Sequence, residues 1–223
     1  MRSWPSESEL SILKAAASEL RFLLKRGYGR NSAVTFVGNH HQLDRRKRHL
    51  LYRAVYPRPT ALRRRSKKVR PVDIEGQTLV VDGYNCFITL ESALKGQSVV
   101  LCDDGFVRDI SGVFRRFKPT ELTNKAWIFM ERLFMQHRPG LIKIYLDKPY
   151  SNSGQFCSRI RMWLKDSGLE GVCLLSKSPE KTLGKEPGIK ASADSVVIEG
   201  SDRVFDLAGH IVSRVLRIKP IRL

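Results

Sequence analysis

The sequence predicts an α/β fold: a parallel sheet with helices on both faces, preceded by a small all-helical, helix-turn-helix-like domain. Three observations carry this prediction. Short apolar runs at Thr78–Val81, Leu141–Leu146 and Val172–Leu175 are rich in β-branched and aliphatic residues, and such runs read as strands buried on both faces. Segments of helical length and spacing lie between them, the alternation of a parallel sheet. Basic residues crowd the first third of the chain: residues 1–70 hold 18 Lys or Arg and only 4 Asp or Glu. A basic helical domain (1–56), a basic linker (57–75) and an α/β domain (76–223) follow from that division.

In the first domain Leu10, Leu13, Ala16, Ala17, Leu20, Leu23 and Leu24 form one helical face, opened by Ser6 or Ser8 as cap and stopped at Gly27 and Gly29. Asn31 or Ser32 can cap a second helix through Ala33, Val34, Phe36 and Val37. Asp44 is placed to cap a third, through His49, Leu50, Leu51 and Ala54. Two short helices about a glycine-containing break have the pattern of a helix-turn-helix. The third helix opens with Arg45, Arg46, Lys47 and Arg48, and a second cluster follows at Arg63, Arg64, Arg65, Lys67 and Lys68. Such clusters hold phosphates. His40 and His41 are adjacent, and helical neighbours point in different directions, so a polar turn is the expectation there rather than a metal pair.

The linker ends in prolines, which disfavour one continuous helix through it. Beyond it, Thr78–Val81 leads into Asp82, Gly83, Tyr84 and Asn85, then a helix over roughly 87–94. Ser98–Cys102 reads as a strand turning at Asp103–Gly105 into a further segment. Thr120 or Thr123 can cap a helix through Trp127 and Met130, with Trp127 on its core face. The strand Leu141–Leu146 ends in Asp147 and Lys148. Ser151 or Ser153 can cap the helix carrying Phe156, Ile160, Trp163 and Leu164. After the strand Val172–Leu175, residues 179–190 read as a polar loop, Asp194 opens a short helix, Arg203–Asp206 is a last strand and 207–216 a closing helix.

Charge narrows the function. The net +18 of this 223-residue chain is a self-repulsion that a polyanion relieves, so nucleic acid is the expected partner. No stretch of 18 residues is apolar and uncharged, which excludes a membrane-spanning helix. The amino terminus has no apolar signal core, so the cytoplasm is expected. The four cysteines, Cys86, Cys102, Cys157 and Cys173, are too widely spaced for a zinc finger. Asp82 and Asp147 end two strands, where open α/β sheets place their sites. With Asp194 they form a hard-oxygen set suited to Mg²⁺ or Mn²⁺.

Val80-Val81-Asp82-Gly83-Tyr84-Asn85 resembles the opening motif of NYN domains, a branch of the PIN-like nuclease superfamily. Ile144-Tyr145-Leu146-Asp147 resembles the second acidic strand of the YacP-type branch, and Ala193-Asp194-Ser195-Val196-Val197-Ile198-Glu199 resembles its alanine-aspartate helix start. The matches fall in the family's order and span roughly residues 76–216. The whole chain also resembles a mainly archaeal family in which a basic helical domain precedes a PIN-like one. The resemblance implies a PIN-like sheet sandwich and a metal-dependent ribonuclease whose catalytic residues are Asp82, Asn85, Asp147 and Asp194, with the three acids as ligands of Mg²⁺ or Mn²⁺. Asp103 and Asp104 are further candidates for the ligand set, and Glu199 and Asp206 compete for the place of a fourth acid. RNA, rather than DNA, is the expected substrate, held by the basic clusters and by Lys148, Arg159 and Arg161. Tyr84 either stacks on a base or packs on a helix. The alternative is a non-catalytic nucleic-acid-binding regulator with a helix-turn-helix. A third class, a small-molecule phosphohydrolase, lacks a Walker-type phosphate loop. The oligomeric state is left open, a dimer included.

Overall fold

The computed structural model describes residues 4–110, 117–148 and 152–223. The chain folds as two units. The first comprises Met1–Ser66, Ser98–Ser111 and Pro220–Leu223, and the second Lys67–Gln97 and Gly112–Lys219. The first division, after Ser66, falls inside the expected linker, and the boundary is not a single cut.

In the first unit, α1 (Glu7–Lys25) starts at a Ser6–Glu9 capping box, in which each side chain satisfies the other's backbone N–H. Its face Leu13, Ala16, Ala17 and Leu20 is fully buried. α2 (Arg30–His40) is capped by Gly29 rather than by Asn31 or Ser32. α3 (Arg45–Ala54) has Asp44 at its cap, its carboxylate accepting from the Lys47 N–H at 2.8 Å. The expected linker is not one: Arg58–Ser66 forms α4, with Ala61 and Arg64 buried. Prolines are tolerated in a first helical turn, whose N–H groups have no intrahelical partner, so Pro59 does not break it. The short strands β2 (Val99–Leu101) and β3 (Val107–Asp109) pair antiparallel. Ile221 exchanges backbone hydrogen bonds with Val99 and Leu101. Val100, Cys102 and Ile110 from this hairpin complete the same apolar core as α1–α4.

In the second unit, residues 67–69 pair with Val204 at the sheet edge, and a 3-10 turn follows at Pro71–Ile74. Then come β1 (Thr78–Asp82), α5 (Gly83–Leu94), α6 (Glu121–His137), β4 (Leu141–Asp147), α7 (Ser153–Asp166) and β5 (Gly171–Ser176). α8 (Pro179–Lys185), β6 (Ile189–Ala191), α9 (Ser195–Glu199), β7 (Val204–Phe205) and α10 (Leu207–His210) complete it, with a π-helical turn at Ile211–Val215. The five strands form one parallel sheet in the order β5-β4-β1-β6-β7, flanked by helices. α8 and β6 occupy the stretch expected as a polar loop. Thr120 caps α6 in a reciprocal box with Thr123. At α7 Asn152 is the cap residue, and the Ser151 alternative lies outside the described residues. Trp127 is buried and stacks on Trp163 with ring centroids 5.0 Å apart. Among the described residues, no helix is long and apolar enough to cross a membrane.

Gly83 is where α5 comes closest to the sheet. A Cβ there would stand 2.6 Å from Leu146 Cδ2 and 3.0 Å from both Ile144 Cγ2 and the Tyr145 carbonyl oxygen. The β4 backbone cannot move aside without breaking its ladder. Gly83→Ala is therefore expected to destabilise the protein by about 1–3 kcal/mol, as overpacking does, in urea unfolding. A loss below about 0.5 kcal/mol, the scale of a neutral surface change, would show that α5 shifts freely.

Candidate functional site

The site is built by strand register. Asp82 is level with Tyr145 on β4, and Val81 is level with Ala191 on β6. Asp147 thus stands two residues beyond Asp82's level. Because side chains alternate along a strand, Asp147 leaves the sheet on the same side as Asp82. On the other flank Ser192 follows Ala191 at the level of Asp82, and Asp194 lies two residues further on. Asp82 is the floor of a small acidic recess, and Asp147 and Asp194 are its rims.

Hydrogen bonds lock the floor to one rim. The Ser192 hydroxyl donates to Asp82 Oδ2 at 2.9 Å and accepts from the Asp194 N–H at 3.0 Å. The Asn85 N–H donates to Asp82 Oδ1 at 3.4 Å, while Asn85 Oδ1 accepts from the Ala193 N–H at 2.9 Å. Asp194 caps α9, accepting from the Val196 and Val197 N–H groups. Ser192 is thus the central positioning residue, and sequence reading missed it. Nothing in a lone serine signals its role; its level beside Asp82 exists only once β6 is recognised as a strand.

The electrostatics are those of uncompensated negative charge. Asp82 is 7% exposed. Burial pushes its carboxyl up to about 7; the Ser192 and Asn85 hydrogen bonds oppose this, and the Asp194 and Asp147 charges add to it. Burial, then the exposed Glu180 of α8, pushes Asp147 up to about 6. Among the described residues, no Lys or Arg forms an ion pair with Asp82, Asp147 or Asp194, although the chain carries a net +18. The all-oxygen donor set fits a hard divalent cation such as Mg²⁺ or Mn²⁺, which keeps water ligands of its own. Among the described residues, the three carboxylates are not drawn within 4.8 Å of one another, as the two-residue stagger dictates, and retained waters would span the difference.

The other expected ligands do not join them. Asp103 takes two hydrogen bonds from the Arg21 guanidinium, at 2.9 and 2.6 Å, and one from the Tyr56 N–H at 3.1 Å. Asp104 is fully buried between Arg108, at 2.7 and 2.9 Å, and Arg64, at 3.2 Å. Both acids belong to the first unit and are already neutralised there, which corrects the expectation that they complete the ligand set. Asp206, a rival for a fourth acid, is paired with Lys68 at 2.8 Å and caps α10.

Several members of the basic clusters have partners within the fold. Arg48 turns inward to the carbonyls of Leu43 and Thr35 and to Asn39 Oδ1. Arg46 lies 3.6 Å from the centre of the Trp4 ring, and Lys47 pairs with Glu9 and Asp44. Arg64 is buried, Arg65 donates to the Asp103 carbonyl, and Lys67 donates to the Ile198 and Glu199 carbonyls. Burial takes Arg64 out of reach of a phosphate, while Arg45, Arg46, Arg63, Arg65, Lys68 and Lys148 stand exposed. Arg159 lies over Trp163 and donates to Asn124, and Arg161 donates to the Cys173 carbonyl, so neither is a loose clamp. Tyr84 is 4% exposed and packs on Phe117 and Phe156, which leaves no face for a base.

Comparison with known proteins agrees with this two-part organisation. The family described as "Domain of unknown function (DUF5616)" matches residues 71–210, and that described as "Protein of unknown function (DUF434)" matches residues 12–67. An uncharacterized protein of Methanocaldococcus jannaschii, MJ0935, is 30% identical over 202 residues, covering 90% of this chain and 96% of the relative. No solved structure matches the chain. With that profile spanning more than half of its length and this relative matching nearly end to end, the chain belongs to the DUF5616 family.

Proposed function

We propose that the protein is a divalent-metal-dependent ribonuclease of PIN-like type, working at the recess of Asp82, Asp147 and Asp194. One observation supports it above the others: a strongly basic chain leaves three carboxylates without cationic partners, among the described residues, at the carboxyl ends of three adjacent strands. A divalent cation bound there would supply charge neutralisation for the scissile phosphate and an acidified water. The residues' own tasks follow from their contacts. Asp82 is the fixed floor ligand, its Oδ2 aimed by the Ser192 hydroxyl. Asn85 ties the loop that carries Asp194 to the start of α5. Asp147 closes the other rim, and exposed Lys148 beside it is suited to holding a phosphate of the RNA strand.

The test is cleavage of end-labelled RNA by purified wild type, Asp82→Asn, Asp147→Asn and Asp194→Asn, with Mn²⁺ or with EDTA. Wild type is expected to cut only with metal, and all three variants to lose cleavage. Ser192→Ala is expected to retain cleavage reduced by about 10–100-fold, the usual cost of removing a group that orients a metal ligand. Equal cleavage by wild type and variants, or none by wild type with Mn²⁺, would overturn the proposal.

A further inference from the structure

Glu19, His40 and His41 form a cluster in the first unit with no part in the acidic recess. Their ligand atoms all lie within 4.8 Å of one another. His41 Nε2 is 3.0 Å and His40 Nε2 3.9 Å from the same carboxylate oxygen, Glu19 Oε1. Tetrahedral ligands at about 2.0–2.2 Å from a zinc-like ion stand roughly 3.3–3.6 Å apart, and the two observed separations bracket that value.

The local backbone explains how adjacent histidines converge. His40 is the last residue of α2, and His41 is its cap, at φ −88° and ψ 7°. The two rings sit edge to face, with centroids 4.9 Å apart and planes at 86°. A regular helix would fan the side chains apart; here the chain leaves the helix between them, and both rings reach Glu19 on α1. The turn expected from the sequence is present at His41 and Gln42, and it carries both rings toward Glu19.

A second observation points to a ligand. His41 Nε2 is sealed from solvent yet makes no hydrogen bond among the described residues, although a carboxylate oxygen lies 3.0 Å away. At that distance the bond fails only through misalignment: the ring nitrogen does not point along the line to the oxygen. A buried polar nitrogen without a partner is costly, and a cation seated between nitrogen and oxygen removes the cost.

We propose that Glu19, His40 and His41 bind one divalent transition-metal ion of the zinc class, fastening α1 to the end of α2. Two imidazoles and a carboxylate select borderline ions over Mg²⁺, and three protein ligands leave one position for water.

The experiment is titration of untagged full-length protein with Co²⁺ in excess Mg²⁺, read by visible d–d absorption, with Zn²⁺ as competitor. One equivalent is expected to give the intense spectrum of a low-coordinate site, and Zn²⁺ to bleach it. His40→Ala and Glu19→Gln are expected to weaken binding by at least about tenfold, the scale of losing a determinant of a metal site; Asp82→Asn is expected to leave it unchanged. His40 is exposed, so its removal does not endanger the fold. Absence of a saturable band, or an undiminished band in His40→Ala, would overturn the proposal. So would loss of the band in Asp82→Asn, which would assign the ion to the acidic recess instead.

Discussion

Asp82→Asn is expected to make the metal-free protein more stable by about 4 kcal/mol at pH 8, the largest gain any single substitution in the recess offers. The burial-dominated shift of Asp82 from 3.8 to about 7 means that the folded state holds this proton more tightly than the unfolded chain does. The group's relative contribution to stability is therefore greatest below about pH 3.8 and is lost as pH rises through about 7, at about 1.4 kcal/mol per unit. An amide never ionises; its one oxygen keeps the bond from the Asn85 N–H, and its NH2 takes the place of the oxygen that faced Ser192, whose hydroxyl turns to accept instead. Urea unfolding in EDTA at pH 5 and pH 8 reads the effect: a gain at pH 8 that shrinks sharply at pH 5. Added Mn²⁺ is expected to stabilise wild type and not the variant. A variant no more stable than wild type at pH 8 would refute the account.

The second large effect is expected in the opposite direction and in the other unit. Asp104→Ala removes the carboxylate shared by two buried guanidinium groups beside the Tyr56 ring, Arg108, 3% exposed, and Arg64, 7% exposed. Breaking a buried ion pair from one side costs about 3–5 kcal/mol, a large part of the usual stability of a domain. Burial alone would raise the Asp104 carboxyl; the Arg108 hydrogen bonds and charge, the Phe106 N–H and Arg64 override it and hold it below the ordinary range. Its contribution is thus complete above the unfolded value and disappears as pH falls through the lower folded one. Hydrogen exchange is expected to show deprotection of Leu13–Leu24 and Val99–Leu101. A wild-type exchange pattern in Asp104→Ala would sink this reading.

The uneven legibility of the sequence has physical causes. β1 and β4 were readable because strands covered on both faces are continuous apolar runs, and the caps Ser6, Asp44 and Thr120 because capping is local chemistry; β5, at the sheet edge with Val172 and Leu175 exposed, was readable because its run is apolar all the same. β6 was not readable. It has only three residues, Ile189–Ala191, and its middle one is a lysine whose ammonium folds back to the Glu186 and Gly188 carbonyls. Missing β6 hid Ser192. The destinations of Arg48, Arg64 and Asp104 were equally hidden, because residue type does not say whether a guanidinium faces water or a carboxylate brought from 40 positions away. Asp82, Asp147 and Asp194 could be chosen because strand ends are predictable places; Asp103 and Asp104 had the same composition and a different fate.

The hairpin at 99–110 and the segment 220–223 impose an order on biosynthesis. The helices of the first unit are synthesised early, yet their core lacks Val100, Cys102 and Ile110 until the hairpin arrives. The Arg21 guanidinium waits longer for the Leu223 carbonyl. At about 5–20 residues per second, the amino-terminal helices spend several seconds on the ribosome with an unfinished apolar face. A fragment covering residues 12–67 alone would inherit that state permanently. The basic helical segment is therefore not a cassette that gene fusion could transplant intact.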